Sequence, residues 1–148
     1  MLRVLLDQEN PYELRAFDTP AHSASQAAEL LNCPLGAIVK SLVFQKQASG
    51  ELFMVLVSGK NRADTEKLSQ VVSELVQTAK PKTVHAMTGY PVGAVPPFGF
   101  KASLPTIMDV DLLDYEHVWA SAGAENMLMQ LNPKVLQHLT QAQVDLIS

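Results

Sequence analysis

The pattern of hydrophobic and polar residues predicts a β-hairpin near the middle of the chain. Residues 38–45 and 52–58 are rich in Val, Leu and Phe, and a polar stretch that ends at Gly50 joins them. Residues 12–17 have the pattern of a further, shorter strand. We expect the hairpin to form the centre of a sheet.

Two segments before residue 82 carry the signals of helices. Ser23 and Gln26 have capping-box spacing, and the apolar residues that follow predict a short amphipathic helix to about Asn32. Asp64 precedes a longer pattern in which apolar residues keep helical spacing as far as Pro81. This second pattern predicts one continuous helix that the proline ends.

The remainder of the chain is predicted to contain mainly short strands. The dipeptide Asn132-Pro133 opens a last helix, because asparagine caps helices and proline suits their first turn. Strands are expected at residues 83–86, 106–109, 117–121, 127–131 and 144–147. Since the strands occur in runs of two or three between helices, the pattern indicates an α+β fold with a mixed sheet.

The composition fits one domain with its own core. The chain has 148 residues, 47% of them hydrophobic, and we expect residues 1–148 to form a single domain. Cys33 is the only cysteine, which excludes an internal disulfide and a multi-cysteine metal cluster. The longest apolar run, residues 52–57, is far shorter than the roughly 18 residues of a membrane helix. Asp7 interrupts the first apolar stretch too early for a signal peptide, so we expect a cytoplasmic protein without a membrane partner.

The charge argues against an indiscriminate nucleic-acid binder. The net charge is −4, whereas such proteins need a basic surface to displace counterions from phosphates. The charge is uneven, because residues 40–101 carry eight basic side chains and four acidic ones. Two interpretations stay open: the basic side chains form one phosphate-binding face, or they are solvated charges spread around the fold.

Lys40 is the most informative residue for function. Side chains two positions apart on a strand point to the same side, which places this ammonium on the face of Ile38, Leu42 and Phe44. A desolvated, unpaired cation is costly, so the lysine is expected at a cleft, against an anionic ligand, or beside an acid such as Asp109. The other face of the strand is apolar too, and an edge lysine that reaches water is the alternative.

Two stretches of small residues suit a binding site. Residues 88–99 contain three glycines and three prolines, so the backbone defines this loop. Such a loop presents N–H groups or lets a substrate approach the main chain closely, although a rigid structural turn is the simpler interpretation. Residues 121–124, Ser-Ala-Gly-Ala, follow a predicted strand and form a second small-residue corner.

Familiar catalytic motifs are missing from the sequence. The four histidines include no HxxxH pair, and the chain has neither a P-loop nor GxSxG. Cys33 has no evident base beside it. One alternative comes from Asp109 and Asp111 after a hydrophobic strand, which resemble the start of haloacid-dehalogenase-type phosphatases, where paired carboxylates hold Mg²⁺. Leu113 departs from that pattern, which has Thr or Val at this position.

Five segments carry a more extensive likeness. They are residues 27–31, 38–44, 89–99, 104–109 and 120–123. Taken together, they resemble the YbaK/ProX family, which is related to the insertion editing domain of bacterial prolyl-tRNA synthetases. The likeness implies a curved, half-barrel-like mixed sheet flanked by helices. It also implies hydrolysis of the ester in mischarged aminoacyl-tRNAs, with no metal and no other cofactor.

The same resemblance implies a set of functional residues. The implied catalytic residues are Lys40, Gly93 and Gly123, and the implied substrate-binding residues are Pro97, Gly99, Asp109 and Ser121. Our hypothesis is that Lys40 anchors the terminal adenosine or its phosphate while N–H groups around Gly93 and Gly123 hold the carbonyl oxygen.

The implied partner is the acceptor end of an aminoacyl-tRNA. Which amino acid is removed, and whether the protein docks on a prolyl-tRNA synthetase or an elongation factor, stays open at this point. The alternative function is a non-catalytic tRNA- or nucleotide-binding module with the same fold.

Overall fold

The computed structural model describes residues 13–18, 20–21, 23–100, 104–124 and 126–148. These ranges contain eight strands and four α-helices. The strands are β1 (Glu13–Ala16), β2 (Val39–Lys46), β3 (Leu52–Ser58), β4 (Val76–Thr78), β5 (Thr106–Asp109), β6 (Val118–Ala124), β7 (Met127–Leu131) and β8 (Gln143–Asp145). The helices are α1 (Ala24–Leu31), α2 (Thr65–Val72), α3 (Pro81–Thr88) and α4 (Pro133–Thr140). None of these helices is long and apolar enough to cross a membrane.

The strands are arranged in two sheets. The smaller sheet is antiparallel, with the order β1-β7-β6. The larger sheet has the order β4-β2-β3-β5-β8, in which β2 pairs antiparallel with β3 and β4, whereas β5 pairs parallel with β3 and β8. An isolated parallel bridge between Ile38 and Trp119 joins the sheets. The prediction of an α+β fold with a mixed sheet is confirmed, and the described strands do not close into a barrel.

The predicted hairpin is confirmed and lies within the larger sheet. Val39 pairs with Ser58 at one end of the hairpin and Gln45 with Leu52 at the other. Residues 53–58 are all buried, because β3 lies between β2 and β5 and contributes side chains to apolar clusters on both faces of the sheet.

Three helices begin at the residues that the sequence marks as caps. Ser23 Oγ accepts the N–H of Gln26 at 3.1 Å. Asp64 Oδ1 accepts two N–H groups of the first turn of α2, at 2.9 and 3.2 Å, and Asn132 Oδ1 accepts one of α4 at 2.8 Å. These contacts satisfy donors that the start of a helix leaves free, which confirms the three predicted starts.

The second helix is shorter than predicted. It ends at Val72, and Ser73 then adopts a left-handed conformation with φ of 62°. The next apolar residues belong to β4, which pairs with the end of β2 and buries Val76. Leu75 fits the helical spacing but is 68% exposed. The prediction of one helix up to the following proline is wrong, because the left-handed Ser73 ends the helix and residues 76–78 pair with β2 instead.

Residues 83–86, predicted as a strand, are helical. Pro81 occupies the first turn of α3, where its missing N–H costs nothing, and Gly89 follows the helix with φ of 81°. Val84 and Thr88, one turn apart, form the buried side of this helix. Pro81 therefore ends the preceding segment and also starts α3. A proline in the first turn and a glycine just after the last turn are the sequence signals of this helix.

The other predicted strands are confirmed with small changes at their ends. β5 and β7 have the expected limits, β6 extends to Ala124, and β8 covers residues 143–145 where 144–147 were expected. Residues 13–16 of the first predicted strand form β1, and Tyr12 lies outside the described residues.

The core positions one helix next to the junction of the two sheets. The largest apolar cluster contains residues of both sheets, among them Met54, Met108 and Met129. A separate cluster joins Ala27 and Leu31 of α1 to Ile38, Trp119 and Leu128. Helix α1 is thereby fixed beside the Ile38–Trp119 bridge.

Candidate active site

A cavity of about 250 Å³ lies beside this junction. Its walls come from the first half of β2, the start of α1, the loop after α3, and the ends of β6 and β7. Most of the lining is apolar, and the polar exceptions are Ser23, Lys40, Ser41 and Ser121. The fold therefore brings together three regions that the sequence analysis treated separately: the lysine strand, the glycine-rich loop and the small-residue corner.

Lys40 lines this cavity from β2. Its side chain is partly buried, and Nζ donates a hydrogen bond to the main-chain oxygen of Asn61. Burial lowers the pKa of Lys40 below its ordinary value of 10.5, the Arg62 guanidinium lowers it further, and the Asp109 carboxylate acts in the opposite direction. The charged ammonium is thus held at a cost, which an anionic ligand in the cavity would offset.

Asn61 is a residue that the sequence analysis missed. Its side-chain Nδ2 donates to Asp109 Oδ2 at 2.9 Å and to Asp111 Oδ2 at 2.7 Å. These two bonds fix the turn whose carbonyl accepts from Lys40. No sequence pattern reveals this contact, because it uses a main-chain atom and partners 21 and 48 positions away.

Asp109 lies behind the cavity and does not line it. The residue is fully buried, and its carboxylate accepts the main-chain N–H of Ser58 at 3.1 Å and that of Asp111 at 3.1 Å, besides the Asn61 amide. The carboxylate is therefore occupied by protein donors. Asp109 therefore fixes the turn whose carbonyl accepts from Lys40 and does not line the cavity.

Gly93 is the glycine of the glycine-rich loop that lines the cavity, together with Val92 and Val95. It has φ of 92°, a conformation that residues with a Cβ rarely adopt. Pro97 is buried and Gly99 is exposed, and neither of them lines the cavity. The substrate-binding role predicted for Pro97 and Gly99 has no support from their positions, whereas Gly93 is placed to present its backbone.

Ser121 ties the small-residue corner to the glycine-rich loop. Its Oγ donates to the main-chain oxygen of Ala94 at 3.2 Å and accepts the N–H of Gly123 at 3.2 Å. Gly123 has φ of 103° at an irregularity in β6, and a Cβ there would lie 3.1 Å from the ring of Tyr90. The Gly123 N–H is thus used inside the corner, so Gly123 shapes the wall and does not offer a free donor.

Comparison with known proteins assigns the chain to a family. Residues 18–139 match the family model described as aminoacyl-tRNA editing domain. The chain belongs to this family. The resemblance noted from the sequence is therefore confirmed.

Relatives of this editing domain include proteins whose names state an activity. It is 31% identical to the "Putative Cys-tRNA(Pro)/Cys-tRNA(Cys) deacylase EbsC" of Enterococcus faecalis, over 82% of this chain and 74% of that protein. It is 27% identical to the YwhH protein of Bacillus subtilis, over 89% and 83%. A proline–tRNA ligase of Desulfovibrio desulfuricans is 33% identical over 62% of this chain, which covers 16% of the ligase.

A solved structure also matches the editing domain closely. It is the crystal structure of "a putative trans-editing enzyme for prolyl tRNA synthetase", with a TM-score of 0.87 and 38% sequence identity. The match covers 93% of this chain and 86% of that one. The family and these neighbours indicate a tRNA editing domain of the deacylase type.

Part of the basic segment of the editing domain gathers beside Lys40. The turn after β3 carries Lys60 and Arg62 on either side of Asn61. Lys60 Nζ lies 5.9 Å from the ring centroid of Tyr115, which holds it against the surface by a cation–π contact. Lys46, in contrast, pairs with Glu51 at 3.1 Å near the hairpin turn. Of these side chains Lys40 lines the cavity and Arg62 is near enough to lower its pKa, whereas Lys60 and Lys46 are held elsewhere.

The remaining chemical candidates in the editing domain lie away from the cavity. Among the described residues, no group of three His, Cys, Asp or Glu side chains is close enough to hold a metal ion. Burial raises the pKa of the Cys33 thiol, which favours the unreactive protonated form. The Asp109 and Asp111 carboxylates accept from Asn61, so the pair that resembles a phosphatase motif serves to hold a turn.

Proposed function

We propose that this editing domain hydrolyses the ester bond between a wrong, small amino acid and its tRNA, without a metal ion. Support comes from the cavity, which is small and mainly apolar and has one partly desolvated ammonium in its wall. The EbsC protein, the proline–tRNA ligase and the solved structure are each named for tRNA-Pro or for prolyl-tRNA synthetase, so we propose tRNA-Pro or a similar tRNA, deacylated in trans.

An editing site is useful because the binding pocket of the synthetase cannot reject every wrong amino acid. A synthetase pocket distinguishes side chains that differ by one methylene by only about 1–3 kcal/mol, so it cannot reject amino acids smaller than its own. An editing cavity reverses the test, because it admits small side chains and excludes larger ones. In this domain the limit on side-chain size is set by the apolar residues that line the cavity, among them Val39, Val95 and Leu128.

Lys40 and Gly93 supply the interactions that the reaction needs. The Lys40 ammonium binds the phosphate or the terminal adenosine of the tRNA and holds the ester over the cavity. A water molecule attacks the carbonyl carbon, and the Gly93 N–H stabilises the negative charge that forms on the carbonyl oxygen. The ester C–O bond then breaks, and the neighbouring ribose hydroxyl passes a proton from the water to the departing ribose oxygen.

The proposal is tested with a panel of tRNAs charged with alanine, cysteine, serine and proline. We expect hydrolysis of at least one small aminoacyl ester, no hydrolysis of prolyl-tRNA, and equal rates with and without EDTA. Loss of activity in EDTA would overturn the metal-independent mechanism. Binding of aminoacyl-tRNA with no turnover of any ester would overturn the deacylase and leave the non-catalytic binding module.

A further inference from the structure

The side chain of Asn61 is held between two carboxylates. Asp109 ends β5, and Asp111 lies in the short 3₁₀ helix Val110–Asp114 that follows it. The Asn61 Nδ2 group donates to Asp109 Oδ2 at 2.9 Å and to Asp111 Oδ2 at 2.7 Å. Because an amide nitrogen carries two hydrogens, both donors of this side chain are used, and the charge of each acceptor strengthens the bond.

The main-chain oxygen of Asn61 accepts a hydrogen bond from Lys40 Nζ. An ammonium group has three N–H donors. Lys40 has no other hydrogen-bond partner among the described residues, so two of its donors remain for a ligand in the cavity that this lysine lines. The position of the Asn61 oxygen therefore decides where those two N–H groups point.

The two carboxylates attach the Asn61 turn to the body of the protein. Asp109 is fully buried and also accepts the main-chain N–H groups of Ser58 and Asp111, both at 3.1 Å, so protein donors fix its position. Asp111 is only partly buried, and its carboxylate is the second point of attachment. A lysine has a flexible four-carbon stem, so a fixed acceptor is needed to give its ammonium one direction.

We propose that Asn61 is a positioning residue for Lys40, and that Asp109 and Asp111 act with it by holding its amide. The inference rests on the proposed deacylase function, in which Lys40 binds the tRNA. Asn61 does not line the cavity, so its contribution to the reaction passes through Lys40. A neutral side chain with two N–H donors suits this place, because an acidic side chain there would be repelled by both carboxylates.

Two alanine variants, each with a matched control, test this role. Asn61→Ala deletes the amide and keeps the main-chain oxygen. Its control is Asn132→Ala, which deletes an asparagine that caps α4 and does not line the cavity. Asp111→Ala deletes one acceptor of the amide. Its control is Asp114→Ala, which deletes an exposed acid of the same 3₁₀ helix that is not bonded to Asn61.

Each substitution is made in the wild type and in the Lys40→Met variant. The measurement is kcat/KM, from single-turnover deacylation of the ester of the panel that the wild type hydrolyses fastest. Thermal unfolding verifies that each protein is folded. If Asn61→Ala does not fold, Asp111→Ala and its control decide the test, because Asp111 is partly exposed and its main-chain N–H stays in place for Asp109.

The expected result is a loss of activity that depends on Lys40. Asn61→Ala lowers kcat/KM about tenfold and Asp111→Ala about threefold, whereas both controls keep the wild-type value. In the Lys40→Met protein neither variant lowers kcat/KM further, because no ammonium is left to position. Losses that multiply with that of Lys40→Met, or equal losses in a variant and its control, overturn the role of Asn61 and leave the deacylase proposal intact. If the wild type hydrolyses no ester of the panel, the proposed function fails and this inference fails with it.

Discussion

The two long walls of the cavity are built on different principles. The β2 wall depends on side chains: Lys40 donates to the Asn61 turn, and the buried carboxylate of Asp109 fixes that turn. The opposite wall depends on the backbone, because Gly93 and Gly123 have φ values of 92° and 103°. One wall supplies charge, and the other supplies shape.

This difference determines how each wall can fail. Loss of a side chain removes a function from the β2 wall and leaves its backbone in place. The glycine wall has no side-chain function to lose, so it is disturbed by adding a Cβ where the backbone conformation excludes one. The two walls can therefore be tested by opposite kinds of substitution.

The largest effect is expected from removing the charge on the β2 wall. Lys40→Met keeps most of the apolar stem and removes the ammonium, and we expect deacylation to fall about 100-fold because an electrostatic contact to the substrate is lost. Stability should change little, because losing the hydrogen bond to Asn61 offsets the removal of a charge that burial disfavours. Single-turnover deacylation and thermal unfolding measure the two quantities.

Lys46→Met is the matched control on the same strand. Lys46 faces Glu51 near the hairpin turn and does not line the cavity. It should retain full activity. If Lys40→Met hydrolyses the ester as fast as this control, the charge on the β2 wall has no role in the reaction.

A smaller loss is expected from disturbing the glycine wall. Gly93→Ala forces a Cβ onto a backbone with φ of 92°, at a strain of about 1–2 kcal/mol. The loop relieves this strain by shifting, which misplaces the N–H at the cavity. We expect deacylation to fall about tenfold, mainly in kcat, as measured by steady-state kinetics.

Gly50→Ala separates strain from function. Gly50 has φ of 78° in the hairpin turn, and the nearest atom to a Cβ there is 3.9 Å away. Both alanine variants should lose similar stability, and only Gly93→Ala should lose activity. Equal activity losses would show that the glycine wall contributes through global stability alone.

The β2 wall was partly predictable from the sequence. Lys40 stands out because a charged residue occupies an apolar face of a strand, and both the strand and its hairpin partner follow from local composition. Asn61 was not predictable, because its contribution is a main-chain oxygen fixed by residues 48 and 50 positions away. Asp109 was identified, but only the fold shows that its carboxylate is buried behind the cavity.

The sequence predicts that the backbone defines the glycine wall, but it does not predict which residues of the loop line the cavity. The density of glycine and proline indicates a backbone-defined loop, yet composition does not show that Gly93 reaches the cavity while Gly99 does not. The error at α3 has a similar origin, since Pro81 is compatible with both the end and the start of a helix. Packing of Val84 and Thr88 against the core decides between them.

The smallest expected effect concerns the charge that surrounds Lys40. Burial and the Arg62 guanidinium lower the pKa of Lys40, so Arg62→Ala should raise that pKa toward 10.5 without reaching it, because burial remains. A lowered pKa in the folded state means that the charged lysine destabilises the protein at neutral pH, and that this cost disappears as the pH rises through the folded and then the unfolded pKa. Arg62→Ala should therefore reduce the destabilisation that the charged lysine causes.

NMR titration of the Lys40 Cε resonance in ¹³C-lysine-labelled protein measures the midpoint of the Lys40 titration. The control is Arg15→Ala, which removes a guanidinium 5.4 Å from the Trp119 ring and should leave that midpoint unchanged. A midpoint that stays fixed or moves down in Arg62→Ala would show that Arg62 does not lower the pKa of Lys40, which would then be set by burial and the Asp109 carboxylate.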